Sequence, residues 1–208
     1  MVIISSFKLI FNENGKYFAV KTEEFSNCPF CGGDLKYRDS VFRNLKDLAS
    51  EVTRYLIRRL LCLECRSLHR ELPDIIQPYK HYGSAVIQAI IDNGEEALSC
   101  AADNSTIVRW KTGFANAASD INQRLSSVYV RMTENTVPLA KTETILKRVR
   151  KSEGRWLAYV MKLLINGGHK IRTRFAFCLP QNTGKLNSAI KINAEGDGKI
   201  DNTNTDTS

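Results

Sequence analysis

No apolar run in these 208 residues approaches the roughly 20 that a membrane helix needs, so no membrane partner is expected. The start, Met1-Val2-Ile3-Ile4-Ser5-Ser6, lacks the basic segment of a signal peptide. The chain is therefore expected to be unexported and cytoplasmic, in association with the nucleoid. Glycine loops of the phosphate-binding kind are also missing. Carboxylates are scarce in the second half, where residues 121–180 contain only Glu134, Glu143 and Glu153. A transposase of the carboxylate type gathers three acidic side chains around two Mg²⁺ ions on a run of buried strands, and no such run precedes these glutamates. A serine recombinase would need a catalytic domain ahead of its DNA reader, and cysteine-rich sequence occupies that space. No enzymatic activity is expected. The balance of apolar and charged residues is that of an ordinary globular protein, which excludes collagen-like and wholly disordered classes.

Charge is present but unevenly spread. The formal net charge is +8. Residues 1–120 carry 15 Lys+Arg against 15 Asp+Glu, residues 121–180 carry 12 against 3, and residues 181–208 carry 3 against 4. Four cysteine thiolates around one Zn²⁺ would add about −2 to the first segment and sharpen the asymmetry.

The periodicity predicts an α+β protein, a small β zinc ribbon followed by a mainly α-helical region containing a helix-turn-helix. Residues 1–27 read as a hairpin around the turn signal Asn12-Glu13-Asn14-Gly15. Residues 28–78 read as the ribbon, with strands at Leu35 to Arg43 and Thr53 to Leu61 and a polar excursion from Asn44 to Glu51. Pro73 and Pro78 bracket a turned connector. Residues 79–118 read as the helix-turn-helix. Its first helix starts near Ser84, buries Ala85, Val86, Ala89 and Ile90, and stops at Asp92-Asn93-Gly94. A second helix runs from Glu95 to about Ala102, and a third starts at Asp103. Residues 119–180 read as a basic helical region. An amphipathic helix carries Ile121, Leu125, Val128, Tyr129 and Met132. Helices over about 142–151 and 155–165 meet at Gly154, and a short strand runs over about 171–179. Residues 181–208, rich in Asn, Thr, Asp, Gly and Lys, read as a disordered tail.

Four of the six cysteines form two Cys-x-x-Cys pairs, Cys28-Pro29-Phe30-Cys31 and Cys62-Leu63-Glu64-Cys65. Each such turn sets two sulfurs on one side of a metal, and two turns close a tetrahedron, so one structural Zn²⁺ is expected. Two buried cysteine pairs, or a thioredoxin-like dithiol that would not need the second pair, are the alternatives. Gly32-Gly33 lets the chain turn under the metal, whereas Arg66 holds the equivalent place after the second pair. His69 reads as a residue at the surface or just behind the ligands, and Cys100 and Cys178 as small buried hydrophobes.

Residues 95–110 follow the steric logic of two steeply crossing helices. Ala97 and Ala101 lie at the crossing, Cys100 and Ala102 are buried, and Ile107 and Trp110 anchor the next helix. Asp103 is its expected N-cap. The exposed side would present Asn104, Ser105, Val108, Arg109 and Lys111. Asn104 and Arg109 suit bidentate contacts to adenine and guanine, and Ser105 and Thr106 suit phosphates. A three-helix bundle with no nucleic-acid role is the competing reading. Lys147, Arg148, Arg150, Lys151 and Arg155 cluster near a helix end, where they read either as contacts to a phosphate backbone or as a solvated helix face.

The run Thr106-Ile107-Val108-Arg109-Trp110 resembles the helix-turn-helix of transposases and resolvase-like proteins, with Ala101 where the turn usually has glycine. More broadly, Cys-Pro-Phe-Cys-Gly-Gly at 28–33, Arg58-Arg59-Leu60-Leu61-Cys62-Leu63-Glu64-Cys65, His69-Arg70-Glu71-Leu72-Pro73-Asp74, Pro78-Tyr79-Lys80 and Thr173-Arg174-Phe175-Ala176-Phe177 resemble a bacterial family of transposase-like zinc-ribbon proteins over about residues 25–178. The resemblance implies a link to mobile elements or gene regulation. The leading expectation is sequence-specific binding of double-stranded DNA, as a transcriptional regulator or a transposition or recombination accessory. A homodimer or a transposase or recombinase is a further expected partner. The alternatives are an RNA-binding or ribonucleoprotein factor, and a protein-interaction adaptor that docks a transposase through helices 121–165.

Overall fold

The computed structural model describes residues 1–94, 99–133 and 144–169. Among the described residues it is an α+β fold with a curled six-stranded sheet and four helices that pack mainly on one another. The expected hairpin is present as β2 (Lys8–Asn12) and β3 (Tyr17–Lys21), paired antiparallel from Lys8↔Lys21 to Asn12↔Tyr17. It is part of the larger sheet. β3 pairs parallel with β5 (Val52–Cys62), and β1 (Val2–Ile4) pairs parallel with β6 (Leu68–Pro73) at the far side. Strand order is β1-β6-β5-β3-β2, with β4 (Leu35–Lys46) along the other edge of β5.

β4 and β5 are longer than their compositions suggest. The polar excursion expected at 44–51 shrinks to the turn at 47–51, because buried Leu45 holds its end of β4 in the sheet. The spacing between the cysteine pairs thus comes mainly from strand length. A register shift between Tyr37 and Asp39 irregularises the β4–β5 ladder. Beside it the buried phase of β5 changes, from Tyr55 and Ile57 to Leu60 and Cys62. The strand therefore faces the helical core at one end and the cysteine cluster at the other.

The connector after β6 is turned, as the prolines require, and Ile76 and Gln77 are buried. Helix α1 (Ser84–Ile91) ends where Asp92-Asn93-Gly94 predicts. Its buried apolar face is Val86, Ile87 and Ile90, while Ala85 is exposed, one position away from the expected stripe. The second helix expected through Ala102 has ended by Cys100. Cys100 to Asp103 are non-helical, and the Ala101 N–H donates to the Leu48 carbonyl at 2.8 Å. Residues 95–98, where that helix would begin, lie outside the described residues.

The third helix and the amphipathic helix expected beyond Phe114 are one continuous α2 (Asn104–Thr133), about 45 Å long at 1.5 Å per residue. Trp110, Phe114, Ala117, Ile121, Leu125 and Val128 keep one buried stripe in register along it. That burial outweighs the roughly 1 kcal/mol that a helical glycine such as Gly113 costs. The expected division at 118/119 therefore falls inside a single helix. α3 (Ile145–Ser152) and α4 (Trp156–Asn166) meet at Gly154 as expected. The strand at 171–179, Cys178 and the tail at 181–208 lie outside the described residues.

One apolar cluster joins both halves of the chain, with Ile3, Ile4, Ile57 and Leu72 from strands and Ile87, Trp110, Ile121, Leu157 and Leu164 from helices. Polar side chains complete the joint. Asn166 accepts from the Ile3 N–H and donates to the Ile3 carbonyl, both at 2.8 Å, in place of a missing strand beside β1. Gln88 of α1 accepts from the Leu157 N–H at 3.1 Å and donates to the Gly154 carbonyl at 2.8 Å, which supplies α4 with a cap.

Candidate metal centre and nucleic-acid face

The two Cys-x-x-Cys turns sit together beside the ends of β4 and β5. In the first, the Gly32 N–H donates to the Cys28 carbonyl and the Cys28 N–H to the Gly33 carbonyl, both at 2.8 Å. In the second, the Cys62 N–H donates to the Ser67 carbonyl at 2.9 Å, and the Leu63 N–H ties the turns together through the Asp34 carbonyl at 3.0 Å. Gly32 has φ +79° and Arg66 φ 60°, so both turns use the left-handed conformation at the residue after the second cysteine. Arginine adopts it at a cost of about 1–2 kcal/mol.

The ligand atoms of Cys28, Cys31, Cys62 and Cys65 all lie within 4.8 Å of one another. The cysteines are free thiols, with Cys28 and Cys65 sulfurs 3.6 Å apart and Cys31 and Cys62 sulfurs 3.5 Å apart. A tetrahedron with metal–sulfur bonds of 2.3 Å has edges of about 3.8 Å, so the donor set fits a tetrahedral metal ion. Charge leads to the same fit. Hydrogen bonds from the Ser67 side chain and backbone draw the Cys65 thiol down to about 6. The Gly33 amide favours the Cys31 thiolate, yet burial and hydrogen bonds with Cys62, Cys65 and Cys28 push that thiol up to about 12. Four thiolates at this spacing need a cation among them.

His69 is fully buried behind the cluster, where its Nε2 lies 3.3 Å from the Cys28 sulfur and its Nδ1 3.0 Å from the Met1 amine. A ring N–H aimed at the sulfur would support its negative charge. On the helical side, Gly168 at φ +87° lets the end of α4 abut the first turn. A Cβ there would stand 2.6 Å from the Pro29 carbonyl oxygen. The cluster is thus built into the whole fold.

The second set of candidate residues begins α2. Asp103 caps the helix as expected, accepting the Thr106 N–H at 2.8 Å. It also takes the Ser105 hydroxyl at 2.5 Å and the Thr106 hydroxyl at 3.0 Å, so both hydroxyls serve the cap. Asn104, Val108 and Arg109 are exposed, and the Lys111 ammonium donates to Asn93 Oδ1 at 2.6 Å. Trp110 is a core anchor, packed edge-on against Tyr82 at 5.1 Å. Because α2 continues, the exposed line does not stop at Lys111. Arg109, Thr112, Asn116, Ser119 and Gln123 form one solvent-facing stripe of hydrogen-bonding side chains without a carboxylate. The sole acid of α2, Asp120, is half-buried and pairs with Arg124 at 2.8 Å. The sequence reading missed this extension, although the buried stripe continuing through Ile121 implied its exposed counterpart.

The basic cluster divides. Lys147, Arg148 and Lys151 are exposed on α3. Arg150 instead pairs with Asp92, and Arg155 with Asp74 at 2.7 Å, each joining two elements.

Among the described residues, no helix is long and apolar enough to cross a membrane. No curated protein and no solved structure matches the chain. Residues 28–110, from the first metal-site cysteine to Trp110, match the model of a domain of unknown function, DUF6431.

Proposed function

We propose that this is a zinc-stabilised protein that binds double-stranded DNA sequence-specifically, with α2 lying in the major groove. The observation that carries the reading is the Arg109, Thr112, Asn116, Ser119 and Gln123 stripe. Guanidinium and amide side chains can form bidentate bonds to guanine and adenine, and no carboxylate on that line repels phosphate. The four sulfurs, close enough together to hold one Zn²⁺, would fix the cysteine turns and the end of β5, while α2 packs on α1, α3 and α4 in the shared core. No acid–base constellation takes part in this reading, which gives the protein a regulatory or recombination-accessory role and agrees with the resemblance to transposase-like zinc-ribbon proteins.

The test is selection from a random duplex pool by the zinc-loaded chain at moderate salt, with Arg109→Ala and Asn116→Ala in parallel. One enriched motif, relaxed at different base pairs in the two variants, is expected. Equal recovery of all sequences by all three proteins would sink the reading. Elemental analysis of the purified chain is expected to give one zinc per molecule.

A further inference from the structure

At the open edge of β4, the side chains of Phe42, Arg43, Asn44 and Arg54 meet His81 around a pocket of about 430 Å³. The Arg43 guanidinium reaches across to the chain segment beyond β6, where one nitrogen donates to the Lys80 carbonyl at 2.5 Å. Its Nε is buried and has no hydrogen-bond partner among the described residues. Arg54 lies flat on the Phe42 ring at 3.5 Å and forms no ion pair among the described residues. No carboxylate lines the pocket. Burial, and then the charge of Arg70, hold the Arg43 guanidinium below its ordinary pKa. Next to it the buried Lys80 ammonium is brought down to about 8, by burial first and by Arg109 second. A partly buried guanidinium with an unanswered N–H, a stacked guanidinium without an ion pair among the described residues and no carboxylate together describe a pocket suited to an anion. The pocket lies beside the start of α2, because Tyr82, which follows His81, packs edge-on against Trp110 at 5.1 Å, and Trp110 follows Arg109.

We propose that Arg43, Arg54 and His81 bind one phosphodiester of the same duplex whose groove α2 reads, an assignment that rests on the proposed DNA-binding function. Arg43 and Arg54 supply their guanidinium charge and His81 a ring N–H to the phosphate oxygens. The contact fixes α2 in register and carries no base preference itself.

Two measurements on the full, metal-loaded chain test it. Inorganic phosphate titrated in while the His81 ring resonances are followed is expected to shift them saturably, and Arg54→Gln, on an exposed surface, to abolish the saturation. Absence of a saturable shift in the unaltered chain overturns the site. Duplex binding by Arg54→Gln is expected to fall about tenfold for every sequence, with the slope of log K against log salt reduced by about 0.9, one phosphate's worth. An unchanged slope alongside intact phosphate binding makes the pocket a site for a free phosphate-bearing ligand and overturns the backbone assignment. Phosphate binding in a chain that binds no duplex at all refutes the reading of α2 and the phosphodiester together, while leaving the anion pocket standing.

Discussion

The Arg150 guanidinium lies over the Trp156 ring at 4.7 Å, and Asp92 receives both Arg150 and the Trp156 indole N–H, the latter at 2.7 Å. One carboxylate at the end of α1 thus ties down α3 and α4. Asp92→Ala leaves the indole N–H without its acceptor and is expected to cost about 1–3 kcal/mol in urea denaturation. Arg150→Ala should cost about 1 kcal/mol through lost stacking and pairing, whereas Lys147→Ala should cost almost nothing. Equal stabilities for the two alanine variants would show that Arg150 is an ordinary surface cation.

Removing the metal is expected to loosen the ends of β4 and β5 before the rest of the sheet. Binding by four thiolates is worth on the order of 10 kcal/mol, and the cluster sits where β5, β6 and α4 converge. Hydrogen exchange at Cys62 to Leu68, followed during titration with a strong chelator, should accelerate while the amides of Ile57 and Leu56 stay protected. Uniform protection throughout the titration contradicts a structural role for the metal.

The Asp103 cap gives α2 an acid limit. Hydrogen bonds from Ser105 and Thr106 lower its carboxyl from the ordinary 3.8 to about 2. A depressed carboxyl contributes stability above its unfolded pKa and loses it as pH falls through the folded value. The cap should therefore be intact above pH about 4 and fail progressively toward pH about 2, read from the chemical shift of the Thr106 amide. Asp103→Asn keeps an oxygen acceptor and should remove this titration while preserving the helix start. A Thr106 shift that still titrates in Asp103→Asn would assign the effect to another group.

Gly168 and Gly154 make a matched pair of tests. Gly168 has a positive φ and no room for a Cβ against Pro29, while a Cβ at Gly154 meets nothing within 4 Å. Gly168→Ala is expected to cost about 1–3 kcal/mol and to lower metal affinity, because strain at the end of α4 is transmitted to the first cysteine turn. Gly154→Ala should be near neutral. Similar denaturation midpoints for both variants would remove the link between α4 and the metal centre.

Much of this architecture was legible because its signals are local. The Asn-Glu-Asn-Gly turn, the Asp103 cap, the stop at Asp92-Asn93-Gly94 and the break at Gly154 each depend on the chemistry of a few adjacent residues. The cysteine spacing announced the cluster for the same reason, since two short turns carry all four sulfurs. Reading Asn44 to Glu51 as an excursion failed because Leu45 is held in the sheet by distant core residues. The division expected at 118/119 falls inside α2 because a continuous buried stripe from Trp110 to Val128 holds the helix together across it. Arg150 and Arg155 looked like free cations because Asp92 and Asp74, their partners, are 58 and 81 residues away.

Turn chemistry, periodicity and ligand type are properties of short segments, so the α+β content, the element order over most of the described residues and the identity of the four clustered thiols could be read from residue order alone. That strands and helices from both halves of the chain share one core, and that β1 pairs in parallel with β6, emerges from three-dimensional packing. The same packing decided which cations are spent on internal joints and which side chains line the exposed face of α2. Those outcomes depend on pairings between residues far apart in the chain, where burial and desolvation outweigh local preference.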